Sequence, residues 1–358
     1  MGAGHAGASQ ELARRIRARG HEAVVVDFLD AFPARAGLAW RAFYLLQLRR
    51  FPESYDSTYR LFYEHERLWK PFVAFETLLA HRRVLRWFRD HRPDVIVSTY
   101  SFATLVLGEL STRGQLDVPT VNFLTDFAVH PRSVHPGVDL NLAIHPQPAA
   151  AATRRTGRPA RAPGPVVAPA FTPERGDRDA IRAGFGVGPE ERLVLVTAGS
   201  WGVGGNVVGT VEAIVRAGRF RVITMCGSDK KLKRELEERR LGLPLGWTDR
   251  MREIMAATDV LVENAGGLTS LEAYACRLPI VTFRPIPGHG RDNAREMAKA
   301  GVTLLATDEA ELIDALDRLT KDGPERAEQL ARTSAMFVSD AADDILGLVG
   351  VEPQPSSA

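Results

Sequence analysis

Asn264 to Asn293 reads NAGGLTSLEAYACRLPIVTFRPIPGHGRDN, and this stretch decides the fold. Gly266-Gly267 follows the apolar run Val260-Leu261-Val262. A helix-like segment through Thr269 and Glu272 then leads to a second apolar run, Ile280-Val281-Thr282-Phe283. Strand, glycine turn, helix and strand form a βαβ unit. Such a turn aims the unpaired N–H groups of a helix start at the crevice beyond the strand ends, a setting that suits a diphosphate. Thr269 adds a hydroxyl at the first turn, and Glu272, three residues on, shares its face. The Glu272 carboxylate suits two adjacent ribose hydroxyls and equally suits a capping box with Thr269.

Outward from this unit the second half keeps the same alternation. Leu193–Ala198 and Arg221–Cys226 read as buried strands, and a helix is expected to begin near Asn206. Between them, Gly199, Ser200, Gly202, Gly204 and Gly205 form either a phosphate-approaching loop or a plain flexible turn. In the first half Ala23–Phe28, Val95–Thr99 and Thr120–Leu124 read as strands. Pro, Ala, Gly and Arg dominate residues 147–176, which predicts an interdomain linker with at most a short strand at Val166-Val167. The chain after Glu309 is helix-like. The expected division is 1–165, 166–340, and a terminal helix end with a frayed tail at 341–358.

At 358 residues, 45% hydrophobic and 25% charged, the chain suits an α/β protein with two cores. No apolar run approaches the length of a membrane span. Cys226 and Cys276 lack metal-ligand spacing and read as buried free thiols of a reducing compartment. The net charge is +2, but residues 1–92 hold 16 basic against 10 acidic side chains, whereas 304–358 hold 4 against 12. Residues 35–92 interleave aromatics (Trp40, Phe43, Tyr44, Phe51, Tyr59, Phe75) with arginines, a pattern of helix core or of an anionic surface contact. No nucleic-acid motif accompanies it.

The 264–293 stretch resembles the donor site of the glycosyltransferases that include monogalactosyldiacylglycerol synthase and the processive diacylglycerol glucosyltransferases. The peptidoglycan N-acetylglucosaminyltransferase is a more distant relative. The matching residues are Asn264-Ala265-Gly266, Thr269 with Glu272, Arg277-Leu278-Pro279, and Pro287-Gly288-His289-Gly290-Arg291-Asp292-Asn293. The resemblance implies a GT-B fold, two Rossmann-like domains facing across a cleft, and an inverting transfer from a nucleotide sugar, UDP-linked, to a lipid hydroxyl such as diacylglycerol. It implies no cofactor and no metal, with the enzyme cytoplasmic and peripheral on the inner face of an anionic cell membrane.

Residue by residue, the resemblance puts Gly199, Ser200 and Gly202 near the donor phosphates and Asn264, Gly266, Gly267, Thr269 and Glu272 around the nucleotide. Trp247, Thr248 and Met251 become a uracil pocket, although Trp247 equally suits ordinary packing. His289, Asp292 and Asn293 become sugar contacts. The family shows a Gln-Glu pair where this chain has His289-Gly290, which leaves the sugar open, with Asp292 as a substitute acceptor. Gly2-Ala3-Gly4-His5 resembles a Gly-x-Gly-His turn whose histidine serves as general base, the helix dipole favouring its neutral ring. Leu124-Thr125-Asp126, with His130 and Asp139, resembles a stretch that orients this base or meets the acceptor; a loop-capping Asp126 is the alternative.

A nucleotide-sugar 2-epimerase of the same fold is the alternative activity. A nicotinamide oxidoreductase lacks its GxGxxG-to-acid spacing here. Only Met1 precedes Gly2-Ala3-Gly4, so an upstream strand of roughly 5–15 residues is expected to end at these glycines; without it the chain would be a weakened or inactive transferase.

Overall fold

A computed structural model of the chain describes residues 3–32, 37, 56–57, 59–61, 66–174, 176–198 and 205–351. They fall into two compact units. One holds the described residues up to Val166 with those from Met336 on; the other is Val167–Ala335.

The first unit opens with α1 (Ala3–Ala18), a 3-10 turn at Phe28–Ala31, and α2 (Glu66–His91). There follow β1 (Ile96–Ser98), α3 (Ser101–Thr112), β2 (Thr120–Leu124), β3 (Leu140–Ala143), α4 (Pro146–Thr156) and β4 (Ala160–Arg161). The four strands pair in parallel in the order β1-β2-β3-β4. Ser98, Asn122 and Asn141 stand in register across them, and Asn122 Nδ2 donates to Asn141 Oδ1 (3.0 Å) and to Ser133 O (2.9 Å). This buried polar row ties the loop after β2 to the sheet.

Two expectations are corrected here. Ala23–Phe28 is not a strand: residues 21–27 have no regular secondary structure, although they alternate in exposure, and no backbone ladder holds them among the described residues. An apolar run becomes a strand only with a neighbour to accept its N–H groups. Val24 and Val26 are left exposed, and Phe28 turns inward against Ala80, Val84, Phe102 and Val106. Nor is 147–176 wholly a linker, because Pro146–Thr156 is helical. Pro146 occupies the first helical position, His145 Nδ1 caps Gln147 N, and Gly157 ends the helix at φ 67°. The alanine run between them is a strong helix former that the Pro/Gly/Arg composition hid. Val166 and Val167 are buried without forming a strand.

The second unit contains α5 (Arg178–Gly184), β5 (Leu193–Thr197), α6 (Val207–Arg216), β6 (Arg221–Met225), α7 (Lys230–Glu238), β7 (Leu243–Leu245) and α8 (Met251–Ala257). It continues with β8 (Val260–Glu263), α9 (Leu268–Ala275), β9 (Ile280–Phe283), α10 (His289–Ala300), β10 (Leu304–Ala306), α11 (Glu309–Leu319) and α12 (Pro324–Ser334). All six strands are parallel, in the order β10-β9-β8-β5-β6-β7. Val194, Val196, Val260, Val262 and Val281 are fully or nearly fully buried, as continuous apolar strands in a doubly wound sheet must be. The chain then returns to the first unit through α13 (Ala341–Gly347), where Asp340 and Asp343 pair with Arg15 and Arg19 of α1 at 2.7–3.2 Å.

Candidate active site

The strand order of the second unit reverses at β5. Strands β6 and β7 lie to one side of it and β8 to β10 to the other. Ligands of open α/β sheets bind beyond the carboxyl ends of the strands at this switch point. The segments leaving β5 and β8 there are the glycine loop after Thr197 and the turn Asn264–Gly267.

The turn is clamped from both sides. Asn293 Nδ2 donates to Ala265 O (3.0 Å) and Gly266 O (3.4 Å), and Ile286 N donates to Asn264 O (2.8 Å). Gly266 has φ 65°, and a Cβ there would fall 2.3 Å from Met297 Sδ and 2.4 Å from Asn293 Nδ2. Both the backbone angle and the space therefore demand glycine. Asn293, expected to meet the sugar, is 1% exposed and supports the turn instead.

Gly267 caps α9, and no side-chain hydrogen bond serves the cap. The capping-box role of Glu272 is therefore not realised. Its carboxyl has no hydrogen-bond or ion-pair partner among the described residues, and burial pushes its pKa up to about 7. Thr269 lies three residues before it on the same helix, in the first turn. A half-buried carboxyl without a partner is costly to the free protein, so it marks a place where a ligand's hydroxyls would be welcome.

On the far side of the switch point, at the edge of the sheet, Trp247 follows β7 with 74% of its surface exposed, which is exceptional for indole. Thr248 Oγ1 accepts from Arg250 N at 3.1 Å, and Met251 is the first residue of α8. Asp292 lies in the first turn of α10 and pairs with Arg295 at 3.2 Å. His289 opens that helix, and a Cβ at Gly290 would come within 3.0 Å of Ile286 Cβ.

In the first unit His5 sits in the first turn of α1, not in a separate turn before it, because the helix already begins at Ala3. Its Nδ1 lies 2.7 Å from Thr99 O, just beyond β1, and 3.2 Å from Thr125 Oγ1, just beyond β2. A carbonyl only accepts, so Nδ1 carries the ring proton. In the neutral ring Nε2 then keeps its lone pair, with no partner among the described residues. Tyr100 packs edge-on against the imidazole at 5.2 Å. Thr99 Oγ1 also donates to His5 O (3.1 Å), so ring and backbone are held together.

Asp126 follows Thr125 at the same end of the sheet, but Nδ1 is already taken by Thr99 O. His130 Nδ1 accepts from Arg132 N (3.2 Å) and caps a 3-10 turn. Asp139 lies at the opposite end of the strands, where its Oδ2 holds Thr120 N at 2.8 Å.

Residues 5–158 match the monogalactosyldiacylglycerol (MGDG) synthase family, and residues 193–345 match the glycosyltransferase family 28 C-terminal domain. A processive diacylglycerol beta-glucosyltransferase of Bacillus licheniformis is 26% identical over 286 residues, covering 75% of this chain and 71% of that protein. Among solved structures, a calicheamicin glycosyltransferase superposes with a TM-score of 0.57 at 15% identity, over 97% of this chain and 94% of that one. A Medicago truncatula protein complexed with UDP-glucose superposes with a TM-score of 0.51 at 14% identity, over 78% of each chain. The chain is a GT-B glycosyltransferase.

Some sites expected of the transferase lie outside the described residues: Gly199, Ser200 and Gly202 of the glycine loop, Gly2 before α1, and Trp40, Phe43, Tyr44 and Phe51. The described end of the glycine loop is held by Arg284, whose Nη1 lies 3.4 Å from Asn206 O. Both residues are left-handed, at φ 38° for Asn206 and 49° for Arg284, an uncommon state for non-glycine side chains. Sequence reasoning missed Arg284, along with Thr99 and Glu263. No spacing rule links Arg284 or Thr99 to its partner, and a glutamate ending a buried strand was the one visible signal for Glu263. Among the described residues no cluster of His, Cys, Asp and Glu is set to hold a metal ion, and no helix is long and apolar enough to cross a membrane. Cys226 and Cys276 are buried and form no disulfide, and burial pushes the Cys226 thiol up to about 11.

Proposed function

We propose that the transferase moves a sugar from a UDP donor to the hydroxyl of diacylglycerol at a membrane surface, with inversion at the anomeric carbon. The observation that carries this reading is the unpartnered Glu272 carboxyl, beside Thr269 on a helix whose glycine cap is clamped at the switch point of the sheet. Glu272 accepts from the two ribose hydroxyls. The diphosphate meets the N–H groups that open α9, and Trp247 stacks on the base. The fold shared with the UDP-glucose complex and the name of the Bacillus relative support the donor and acceptor classes.

In the reaction, His5 Nε2 takes the acceptor hydroxyl proton as that oxygen bonds to the anomeric carbon. The bond from that carbon to the diphosphate oxygen breaks, and UDP leaves with its new charge facing the start of α9. The scheme uses no metal.

For the membrane, α2 presents Pro71, Phe75, Leu78, Arg82, Arg86 and Arg89 along one exposed stripe, with Phe75 and Leu78 at 55% and 64% exposure. Apolar side chains at one end and guanidinium groups at the other suit the boundary between acyl chains and anionic headgroups. The test is UDP release across donor sugars, with diacylglycerol supplied in anionic vesicles. Acceptor-dependent release from a UDP donor is expected. Release that ignores the lipid, or that requires another nucleotide, would overturn the reading.

A further inference from the structure

Glu263 is the last residue of β8, 4% exposed, and no part of the proposed reaction uses it. One carboxylate oxygen accepts from Ala265 N at 2.7 Å and also from Gly266 N. The other accepts from Thr282 Oγ1 at 2.5 Å. Thr282 stands in register with Glu263 on β9, and its hydroxyl lies 2.9 Å from Thr303 Oγ1. Within the glycine turn the amides of Ala265 and Gly266 are thus taken by Glu263, just as the carbonyls of Asn264, Ala265 and Gly266 are taken by Ile286 N and Asn293. Ser270 N and Leu271 N already bond to Gly267 O. The amides of Gly267, Leu268 and Thr269, with no acceptor among the described residues, remain as the orphan donors of the helix start.

We infer that Glu263 is the positioning residue of the donor turn. By holding the amides of Ala265 and Gly266 it withholds them from the diphosphate and leaves those of Gly267, Leu268 and Thr269 to meet it instead. This rests on the donor-site reading above. The requirement is for reach and lone pairs, not for charge. A glutamine can point its oxygen at the two amides and donate its NH₂ to Thr282 Oγ1, whose own proton turns to Thr303. An aspartate keeps the charge but stops one methylene short of the turn.

The experiment compares Glu263→Gln and Glu263→Asp in the full chain, with UDP affinity from calorimetry, donor KM and kcat, and amide hydrogen exchange over residues 264–269. Glu263→Asp is expected to weaken UDP binding about ten-fold or more, because two turn amides lose their acceptor. It should speed exchange in the turn, raise donor KM likewise, and leave kcat at saturating donor within about three-fold. Glu263→Gln should stay within about three-fold of the parent in every readout. The reverse pattern, or two variants that bind UDP like the parent, overturns the inference. Should Glu263→Asp not fold, Thr282→Val releases the same carboxylate from its other side and should weaken UDP binding about three-fold; unchanged affinity then overturns it. Glu272→Ala is run alongside. If it leaves UDP affinity unchanged, the donor-site reading fails; if it weakens binding while Glu263→Asp does not, only the role of Glu263 fails.

Discussion

The two units build their candidate groups in opposite ways. In the second unit Glu263, Gly266, Thr269, Glu272, Ile286 and Asn293 come from one stretch that runs strand, turn, helix, strand, helix. In the first unit His5 is held by Thr99 and Thr125, which are 94 and 120 residues away in the chain. A site assembled within one βαβ unit inherits its geometry from local rules. A site assembled from the ends of separate strands inherits it from topology. The first kind tolerates distant change and fails on single local substitutions; the second depends on the whole sheet.

That contrast breaks most visibly at His5. His5→Ala should lower kcat by about 10²–10⁴ while leaving UDP affinity unchanged, since the base and the donor turn belong to different units. Single-turnover rates with calorimetry on the same preparation check it. A variant with near-parent rate would move the base to another side chain of that unit.

Glu272 gives the matching probe of the second unit. Glu272→Ala should weaken UDP binding by about 1.5–3 kcal/mol, roughly ten- to hundred-fold, through loss of hydrogen bonds to a charged acceptor. The raised pKa of about 7, caused by burial, adds a pH signature. Ribose hydroxyls favour the ionised carboxyl, so binding lowers its pKa and releases a proton. Affinity should therefore rise from pH 6 to pH 8, and the buffer-dependent heat of proton release should vanish in Glu272→Gln. A flat profile would take Glu272 out of the ribose contact.

The same contrast explains what could be read in advance. The strands around Leu193, Arg221, Val260 and Ile280 were legible because both faces are buried, so each is a continuous apolar run between turn residues. Ala23–Phe28 has the same composition, but pairing is a property of neighbours, not of the run itself. Short β4 and β7 carry arginine and proline and leave no pattern to read. Glycine at 266 announced its turn, whereas the use of Asn293 to brace it was hidden, since an amide looks the same whether it faces a ligand or a carbonyl. The hydrogen bond from His5 to Thr99 was beyond any spacing rule.

A smaller effect belongs to the first unit alone. Arg82→Ser on the exposed stripe of α2 should reduce partition to anionic vesicles about five-fold at low salt, a loss of about 1 kcal/mol per cation near the surface. The difference should shrink as salt rises, because exposed charges are screened. Vesicle sedimentation measures it, and equal partition of both proteins would show that the stripe faces something other than lipid.

The smallest expected change is in stability, again through Glu272. Its folded pKa is about 7 and its ordinary value 4.5, so the folded state holds this proton more tightly than the unfolded chain does. Below pH 4.5 both states are protonated and the group adds no penalty. As pH rises from 4.5 to 7 the unfolded chain ionises first, and the cost of a buried carboxyl accumulates; above 7 it is fully present. Glu272→Gln removes the ionisation and keeps the shape. It should therefore raise Tm by a few degrees at pH 8, on the order of the shift that about 1 kcal/mol gives in a chain of this size, and leave it nearly unchanged at pH 4.5. Scanning calorimetry of the ligand-free protein at both pH values measures this. Saturating UDP should reverse the sign at pH 8, since the ligand then supplies the hydroxyls that the parent carboxylate lacks and the glutamine serves less well. A Tm gain of equal size at both pH values would mean that the side chain is merely better packed, and that its unmet charge is not what the donor relieves.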